Sequence, residues 1–154
     1  INTVRIVHEK LYESKDLENV SFPEYAEELL AGAFAVAGGK ITVEKEIEIE
    51  SLHQKVIVPL GLIINELAMN AVKHNAERDK PLTFSIRAFR DLPAEDYVVV
   101  VANSGIPFPD TIDFENPESL GLKLISALVQ QIEGTIELER SPHPVFTIRF
   151  PAVG

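Results

Sequence analysis

The chain has 154 residues, of which 45% are apolar and 25% charged, a composition typical of one ordinary globular domain. It contains no cysteine, which excludes disulfide bonds and thiolate chemistry. The formal net charge is −10 and the basic residues are scattered, so we expect no nucleic-acid partner. An anionic ligand would have to be held locally, by a few cations, backbone N–H groups, a helix N-terminus or a metal ion.

The first segment, residues 1–14, carries a loose apolar stripe that predicts the end of a helix, and the polar stretch 14–20 predicts a linker. A short helix is only marginally stable alone in water, so we expect this one to pack on a partner helix. The chain begins at Ile1 without a methionine, and we interpret it as a piece of a longer protein. A membrane-spanning sensor could lie upstream of it.

Three helices are predicted further along the chain. Ser21-Phe22-Pro23-Glu24 combines an N-cap residue, a first-turn proline and a glutamate three positions after the cap, all typical of a helix start. The first helix should end at Gly38-Gly39, and the third near Gly134, because glycine favours helix ends. The predicted helices cover about 21–38, 55–75 and 120–132.

Five strands are predicted from alternating or continuous apolar runs, at 41–49, 82–90, 97–102, 135–139 and 145–150. The strand at 97–102 is apolar throughout, so we expect it to be central and covered on both faces. The order of elements predicts an α/β sandwich, with one mixed sheet of about five strands and three helices packed on one face.

The most informative segment is the second helix, where Glu66, Asn70 and Lys73 follow i, i+4, i+7 spacing beside the apolar stripe. Asparagine is a mediocre helix former, yet it occurs at both Asn65 and Asn70, which favours a functional interpretation. The structural alternative is a solvated helix face with a Glu–Lys pair.

Two glycine-containing segments follow. Asn103-Ser104-Gly105 ends the apolar strand and opens a long loop, and loops of this length are usually functional or disordered. Ser119-Leu120-Gly121-Leu122 leads from the loop into the third helix, where backbone could approach a phosphate. Without a function, the first segment would be an ordinary Asn-Ser-Gly turn, and the second would merely have a glycine at the start of a helix.

In this order and spacing, the three segments resemble the catalytic domain of sensor histidine kinases, in the GHKL group of ATPases. Residues 60–74 resemble the N-box helix, and Asn103-Ser104-Gly105 stands where the Asp-x-Gly box belongs. Ser119 to Leu122 stands for the following Gly-Leu box, and residues 146–151 resemble the closing strand. Residues 7–14 resemble the second hairpin helix of the subfamily that contains the HWE-like kinases.

The resemblance implies the Bergerat fold of GHKL-type ATPases and phosphoryl transfer from ATP, with Mg²⁺, to a histidine outside this chain. It implies that Asn70 ligates Mg²⁺, that Glu66 is catalytic and orients the attacking group, and that Asn103 reads the adenine amino group. Lys73 and His74 would face the phosphates. The remaining nucleotide-binding residues would be Gly105, Ser119, Gly121 and Leu122, with residues 106–118 as the lid.

The resemblance also implies partners and a division of the chain. Residues 1–20 would be a remnant of the second helix of the phosphoacceptor hairpin plus a linker, and residues 21–154 the ATP-binding domain. The partners would be the protein's own phosphoacceptor hairpin and a response regulator, in a homodimeric full-length protein. The domain would be cytoplasmic, with any membrane anchor upstream. His8 would lie in the second hairpin helix and is interpreted as a packing or interface histidine, not as the acceptor.

Three departures from the family pattern keep alternatives open. Asn103 replaces the adenine-reading Asp, Pro107 replaces the second glycine of that box, and His143-Pro144 replaces a Gly-Thr pair. A carboxamide both accepts and donates, so Asn103 could read an adenine amino group or turn to a guanine oxygen. One alternative is a degenerate GHKL-fold interaction module with weak or no nucleotide binding. Another is an anti-sigma-type serine kinase, which the hairpin-like start of the chain disfavours.

Overall fold

The computed structural model describes residues 18–35, 40–76 and 80–152. The predicted helix over 1–14 and the predicted helix end at Gly38-Gly39 lie outside this part of the chain. The helices are α1 (Phe22–Phe34), α2 (Gln54–His74) and α3 (Leu120–Gln131). The strands are β1 (Asn19–Ser21), β2 (Ile41–Ile47), β3 (Ser51–His53), β4 (Leu82–Asp91), β5 (Asp96–Asn103), β6 (Thr135–Glu139) and β7 (Val145–Pro151).

Each helix starts at a side-chain cap, which satisfies one of the free N–H groups of the first turn. The Oγ atom of Ser21 accepts a 3.4 Å hydrogen bond from Glu24 N, which confirms the predicted start of α1. His53 caps α2, its Nδ1 atom accepting from Lys55 N at 3.1 Å. Ser119 caps α3, its Oγ atom accepting from Leu122 N at 3.3 Å.

The main sheet has five strands in the order β2-β4-β5-β7-β6, which confirms the predicted mixed sheet. The β2–β4 pair is parallel, whereas the other three neighbouring pairs are antiparallel. The three helices and the inward side chains of the sheet share one apolar core, which confirms the two-layer α/β sandwich. The polar residue at the end of β5, Asn103, is placed beside that core.

β5 is the central strand, as predicted, but the helices cover only one of its faces, and on the other face Val100 and Ala102 are half-buried. Its inward residues, Val99 and Val101, belong to the helix-covered core, but Val98 does not, although only 1% of its surface is exposed. On the outer face, Val98 lies opposite Phe89 of β4 and Arg149 of β7. Long side chains of neighbouring strands can cover a valine in this way, and a continuous apolar run does not reveal the difference.

A small second sheet, which was not predicted, joins the start of the described chain to the start of α2. β1 pairs with β3 in antiparallel fashion, Val20 opposite Leu52, and both side chains are buried. The prediction of a linker up to residue 20 was therefore wrong for Asn19 and Val20. The division of the chain at residue 20 stays a prediction, since residues 1–17 lie outside the described part.

Helix α2 is long and apolar enough to cross a membrane by length and composition alone, but half of its most apolar window is buried inside the fold. It contacts both α1 and α3, as the central helix of a globular core does. Its contact with α1 depends on Gly61, because a Cβ atom there would overlap the hydroxyl of the fully buried Tyr25. The core position of α2 explains its composition and leaves Asn70 and Lys73 of its polar stripe facing the lid loop, residues 106–118.

Candidate active site

A cavity of about 370 Å³ lies between α2, the lid loop and the start of α3. Five of the residues singled out from the sequence line it: Asn70, Lys73, His74, Ser119 and Leu122. The lid contributes the other lining residues, Thr111, Ile112, Asp113, Asn116 and Glu118. The structure therefore brings the N-box helix and the Gly-Leu segment together at one cavity, although about 50 residues separate them in sequence.

Asn70 and Lys73 present polar groups to this cavity. Neither side chain forms a hydrogen bond or an ion pair with another residue in the part of the chain that the structure describes. Mg²⁺ prefers oxygen ligands and keeps several waters, so one amide oxygen together with phosphate oxygens suits it. No group of three or more His, Asp or Glu side chains able to hold a metal occurs among the described residues. The Asn70 side chain thus fits a metal that arrives together with an oxyanion.

A second cavity of about 10 Å³ adjoins the first, since Asn70 and His74 line both. Asn103 also lines the small cavity, so the structure brings Asn70 and Asn103 to the same place. Asn103 is only 6% exposed, and its Nδ2 atom donates a 2.7 Å hydrogen bond to the carbonyl of Ser104. This bond opposes the rotated amide orientation that donation to a guanine oxygen would need.

Glu66 and Gly121 face each other where α2 crosses α3. A Cβ atom at position 121 would lie 2.9 Å from Glu66 Oε2, so glycine leaves the space that the carboxylate occupies. Neither residue lines the larger cavity, so the structure does not bring these two predicted site residues to the cavity that Asn70 and Lys73 line. Both lie one helical turn or less from residues that do, Asn70 and Ser119.

Gly105 lines neither cavity, and its role is to allow a backbone conformation that other residues rarely adopt. Its φ of 107° lies in the region that favours glycine, and it turns the chain out of β5 into the lid loop. The next residue, Ile106, donates its backbone N–H to Asn75 Oδ1 at 3.0 Å. The Asn75 amide also donates to Ala71 O at 2.8 Å, so it joins the end of α2 to the start of the lid.

The other fixed point of the lid is Arg140, in the connection between β6 and β7. Its Nη1 atom donates to Pro109 O at 2.8 Å, and its guanidinium lies 5.2 Å from the centre of the Phe108 ring. Phe108 N in turn donates to Arg140 O at 2.9 Å. Sequence reasoning missed Asn75 and Arg140, because neither belongs to a recognisable motif; an asparagine at a helix end was the only available signal.

His74 packs edge-on against Phe108, with 5.6 Å between ring centres, and Phe108 packs in the same way against Phe146. Burial lowers the pKa of His74 below its usual value, and the neighbouring Lys73 lowers it further. His74 is therefore neutral at neutral pH, and within the cavity the positive charge belongs to Lys73. Of the two residues expected to face the phosphates, Lys73 provides the positive charge, whereas the neutral His74 ring packs against Phe108.

Two family models match the chain. The model for histidine kinase-, DNA gyrase B- and HSP90-like ATPases matches residues 55–154, which contain both cavities, and a histidine kinase model matches residues 1–37. The chain belongs to the histidine kinase-, DNA gyrase B- and HSP90-like ATPase family. Its five-stranded sheet with three helices is the Bergerat fold of this GHKL group.

Solved structures show the same fold. The histidine kinase domain of the Erythrobacter litoralis EL346 blue-light activated histidine kinase matches with a TM-score of 0.86 at 17% identity, over 98% of this chain and 72% of that one. In the longer EL346 structure the chain spans about half of the length, 52%, with a TM-score of 0.85 at 18% identity. The mycobacterial sensor histidine kinase MprB matches at 0.68 and 17% identity, over 87% of this chain and 97% of that one. No curated protein matches in sequence. The family matches support a GHKL-type ATP-binding domain of a sensor histidine kinase, and the solved structures show the same fold.

Proposed function

We propose that this chain binds ATP together with Mg²⁺ in the larger cavity and transfers the γ-phosphoryl group to a histidine outside it. The observation that carries the proposal is the pair of side chains Asn70 and Lys73, which have no partner among the described residues, at a cavity closed by the start of α3. The partial positive charge of a helix N-terminus and the N–H groups of its first turn attract phosphate oxygens. In a chain of net charge −10, such a local site is what an anionic nucleotide requires.

Each group in the cavity then has one task. Asn70 would hold Mg²⁺ through its side-chain oxygen, and the ion would neutralise phosphate charge when bound. The Lys73 ammonium would contact phosphate oxygens directly. Ser119 and Leu122 would seat the phosphates at the start of α3, and lid residues such as Ile112 would cover the nucleotide.

The transfer itself is an attack by an imidazole nitrogen on the γ-phosphorus. The N–P bond forms, the bond from phosphorus to the leaving oxygen of ADP breaks, and the imidazole N–H proton must leave. Glu66 would accept that proton, since it lies one turn from Asn70 on the same face of α2. Positioning and charge neutralisation supply most of the remaining rate enhancement in phosphoryl transfer.

Calorimetric titration with ATP, with and without Mg²⁺, tests the proposal. The parent chain should bind ATP more tightly with Mg²⁺, and Asn70→Ala should lose that gain, roughly tenfold to a hundredfold in Kd. Asn65→Ala is the matched control, because Asn65 lies on the same helix and lines neither cavity. Equal affinities of the Asn70 variant and the parent in Mg²⁺ would remove Asn70 from the metal site.

A second candidate, a nucleotide-free interaction module, is favoured by one observation. The cavity beside Asn103 is only about 10 Å³, and Phe108 and Pro144 line it. Pro144 belongs to the pair that replaces the family's Gly-Thr. In the same titration, no heat of binding from the parent with Mg²⁺ and ATP would select this candidate.

The proposed partners follow from the kinase function. The acceptor histidine would belong to the phosphoacceptor hairpin of the full-length protein, and a response regulator would take the phosphoryl group next. We also propose that the full-length protein is a homodimer and that this domain works in the cytoplasm, where ATP is available. Size measurement of the full-length protein in solution tests the dimer.

A further inference from the structure

Strand β6 lies at one edge of the main sheet and pairs with β7 on one side. Arg140, directly after β6, turns its carbonyl to the other side, where it accepts a 2.9 Å hydrogen bond from Phe108 N. Backbone groups of alternate residues point to the same side of an antiparallel strand, so those of Leu138 and Ile136 also face this open side. Within the described part of the chain, no backbone hydrogen bond reaches Ile136 or Leu138 from there. β6 thus offers two donors and two acceptors to a further strand.

A groove of about 480 Å³ lies along this open side, between β6 and the middle of the lid. Ile136 and Leu138 line it from β6 and Phe114 lines it from the lid, and all three are partly buried side chains packed against the core. The Phe114 ring is held by the rings of Phe108 and Phe146, at 6.2 Å and 5.7 Å between centres. An open strand edge beside an apolar groove is the arrangement that accepts an extended segment of another chain.

The rim of the groove is acidic. Asp113, Glu115 and Glu137 line it, and Glu139 is exposed beside them at the end of β6. None of these four carboxylates forms an ion pair with another described residue. Arg140, the one basic residue in the described lining, is engaged with the start of the lid. The uncompensated charge of the groove is therefore negative, which favours a cationic partner.

We propose that this groove and the open side of β6 bind an extended segment of a partner protein in which apolar and basic residues alternate. Residues directly opposite each other on paired strands share a face of the sheet. Apolar side chains opposite Ile136 and Leu138 would fill the groove, and basic side chains would lie opposite Glu137 and Glu139. A second copy of this chain fits poorly, because both edge strands, β2 and β6, carry glutamates, and their pairing would place like charges opposite each other.

The lid forms one wall of both the groove and the larger cavity. Asp113 lines both spaces, with Ile112 at the larger cavity and Phe114 at the groove. A strand packed on Phe114 would hold the middle of the lid in its present position over the larger cavity. If the larger cavity binds Mg²⁺-ATP, as the proposed function states, the partner and the nucleotide then raise each other's affinity by the same factor, because coupling between two sites is reciprocal.

The probe for the groove is a capped, fluorescent peptide of alternating lysine and valine, about seven residues long, used in about 0.15 M salt. The parent chain should bind it, and a peptide of alternating glutamate and valine should not bind. Glu137→Lys should weaken binding at least about fivefold, because it places like charges opposite each other. Glu44→Lys is the matched control, since it makes the same charge change at an exposed position of the other edge strand, β2. Equal losses in the two variants, or no binding by the parent, would overturn the proposal.

Strand addition is tested separately from charge by two N-methylated forms of the lysine peptide, one methylated at the valines and the other at the lysines. Only one of these two sets of N–H groups can face β6, so the affinities of the two peptides should differ about tenfold. Bound peptide should also slow the amide hydrogen exchange of residues 135–139 and leave residues 41–47 of β2 unchanged. Equal affinities of the two peptides, or no added protection in β6, would show attraction to an acidic surface without strand pairing.

The coupling to the lid is measured by titration with Mg²⁺-ATP in the presence of saturating lysine peptide. ATP affinity of the parent should rise about fivefold, and ATP should tighten peptide binding by the same factor. The Glu137→Lys variant controls for direct contact between the peptide and ATP, and it should show no rise at the same peptide concentration. Peptide binding that leaves ATP affinity unchanged would overturn the coupling. A parent that binds no ATP would overturn the proposed function, and the peptide and exchange measurements would still decide the groove.

Discussion

Gly121 and Gly32 differ in how much space surrounds them for a side chain. Both lie within helices, where glycine is about 1 kcal/mol less favourable than alanine. An added Cβ atom would meet nothing within 4 Å at Gly32, but at Gly121 it would lie 2.9 Å from Glu66 Oε2. The Glu66 carboxylate can move away, since it is the end of a flexible side chain. A side chain at position 121 would thus displace the Glu66 carboxylate without disrupting the fold.

Gly121→Ala should leave the free energy of unfolding within about 1 kcal/mol of the parent. Mg²⁺-ATP affinity should stay the same, whereas transfer to a supplied phosphoacceptor hairpin should slow at least about tenfold, because a displaced carboxylate is a poor proton acceptor. Gly32→Ala is the matched control and should change neither property, apart from a small gain in stability. Transfer at the parent rate by the Gly121 variant would show that the carboxylate position does not matter.

His74 should make the stability of the domain depend on pH. Its pKa is lowered in the folded state by burial and by Lys73, whereas the unfolded chain binds the proton at the usual value of about 6.5. Above that pH both states are neutral at this position. As the pH falls below it, the unfolded state binds the proton first, so stability is lost until the pH has passed through the lowered folded pKa.

His74→Phe, which keeps a ring against Phe108, should remove this loss. Urea unfolding at pH 8 and at pH 5.5 should show the variant gaining stability relative to the parent at the lower pH. His143→Phe, at an exposed position in the β6–β7 connection, should behave like the parent. A constant difference between the His74 variant and the parent at both pH values would contradict the prediction.

At the scale of elements, the lid loop is a long segment attached firmly at its start. Asn75 holds Ile106, and Arg140 holds Phe108 and Pro109, so α2 and the β6–β7 connection share the attachment. Asp113 Oδ1 accepts hydrogen bonds from Glu115 N and Asn116 N, which orders the turn in the middle of the lid. The lid ends at the cap of α3, Ser119, which itself lines the larger cavity.

Arg140→Met should loosen this attachment, because methionine keeps the apolar length but loses the donor to Pro109 and the charge over Phe108. Limited proteolysis should cut within residues 110–118 faster than in the parent. Mg²⁺-ATP affinity should fall roughly threefold to tenfold, because the loss of one charged hydrogen bond leaves the lid less well ordered for binding. Arg90→Met, at an exposed position on β4, is the control. Unchanged cleavage in the Arg140 variant would show that the lid is held elsewhere.

At the scale of the whole molecule, the proposed phosphoryl transfer needs an acceptor histidine, which the proposal places outside this chain. Two histidines of the described chain are accounted for structurally, His53 as the cap of α2 and His74 in the aromatic cluster. His143 lies in the β6–β7 connection, and His8 lies outside the described residues.

The chain incubated alone with Mg²⁺ and γ-labelled ATP should therefore stay unlabelled. Addition of the phosphoacceptor hairpin of the full-length protein should produce acid-labile phosphate on the hairpin, and a hairpin with its acceptor histidine replaced by glutamine should stay unlabelled. Acid-labile phosphate on His8 of the isolated chain would show that the acceptor had been misplaced.

The helices and the five main strands could be predicted from the sequence, because their signals are local. Caps such as Ser21 and Ser119 act within one turn, and the period of apolar residues distinguishes helix from strand over a single element. The polar stripe of α2 is also local, since Glu66, Asn70 and Lys73 share a helix face wherever the helix lies. The family resemblance rested on these local segments and their order, and the family matches confirmed it.

Tertiary structure alone decided the features that join distant residues. β1 and β3 are three-residue strands that exist only because they pair with each other, and the outer cover of Val98 comes from two other strands. The attachment of the lid joins residue 106 to residue 75 and residue 109 to residue 140. The orientation of the Asn103 amide depends on a carbonyl that β4 holds in place. Each of these contacts depends on where folding places the partner, and a partner distant in sequence leaves no trace in the local pattern.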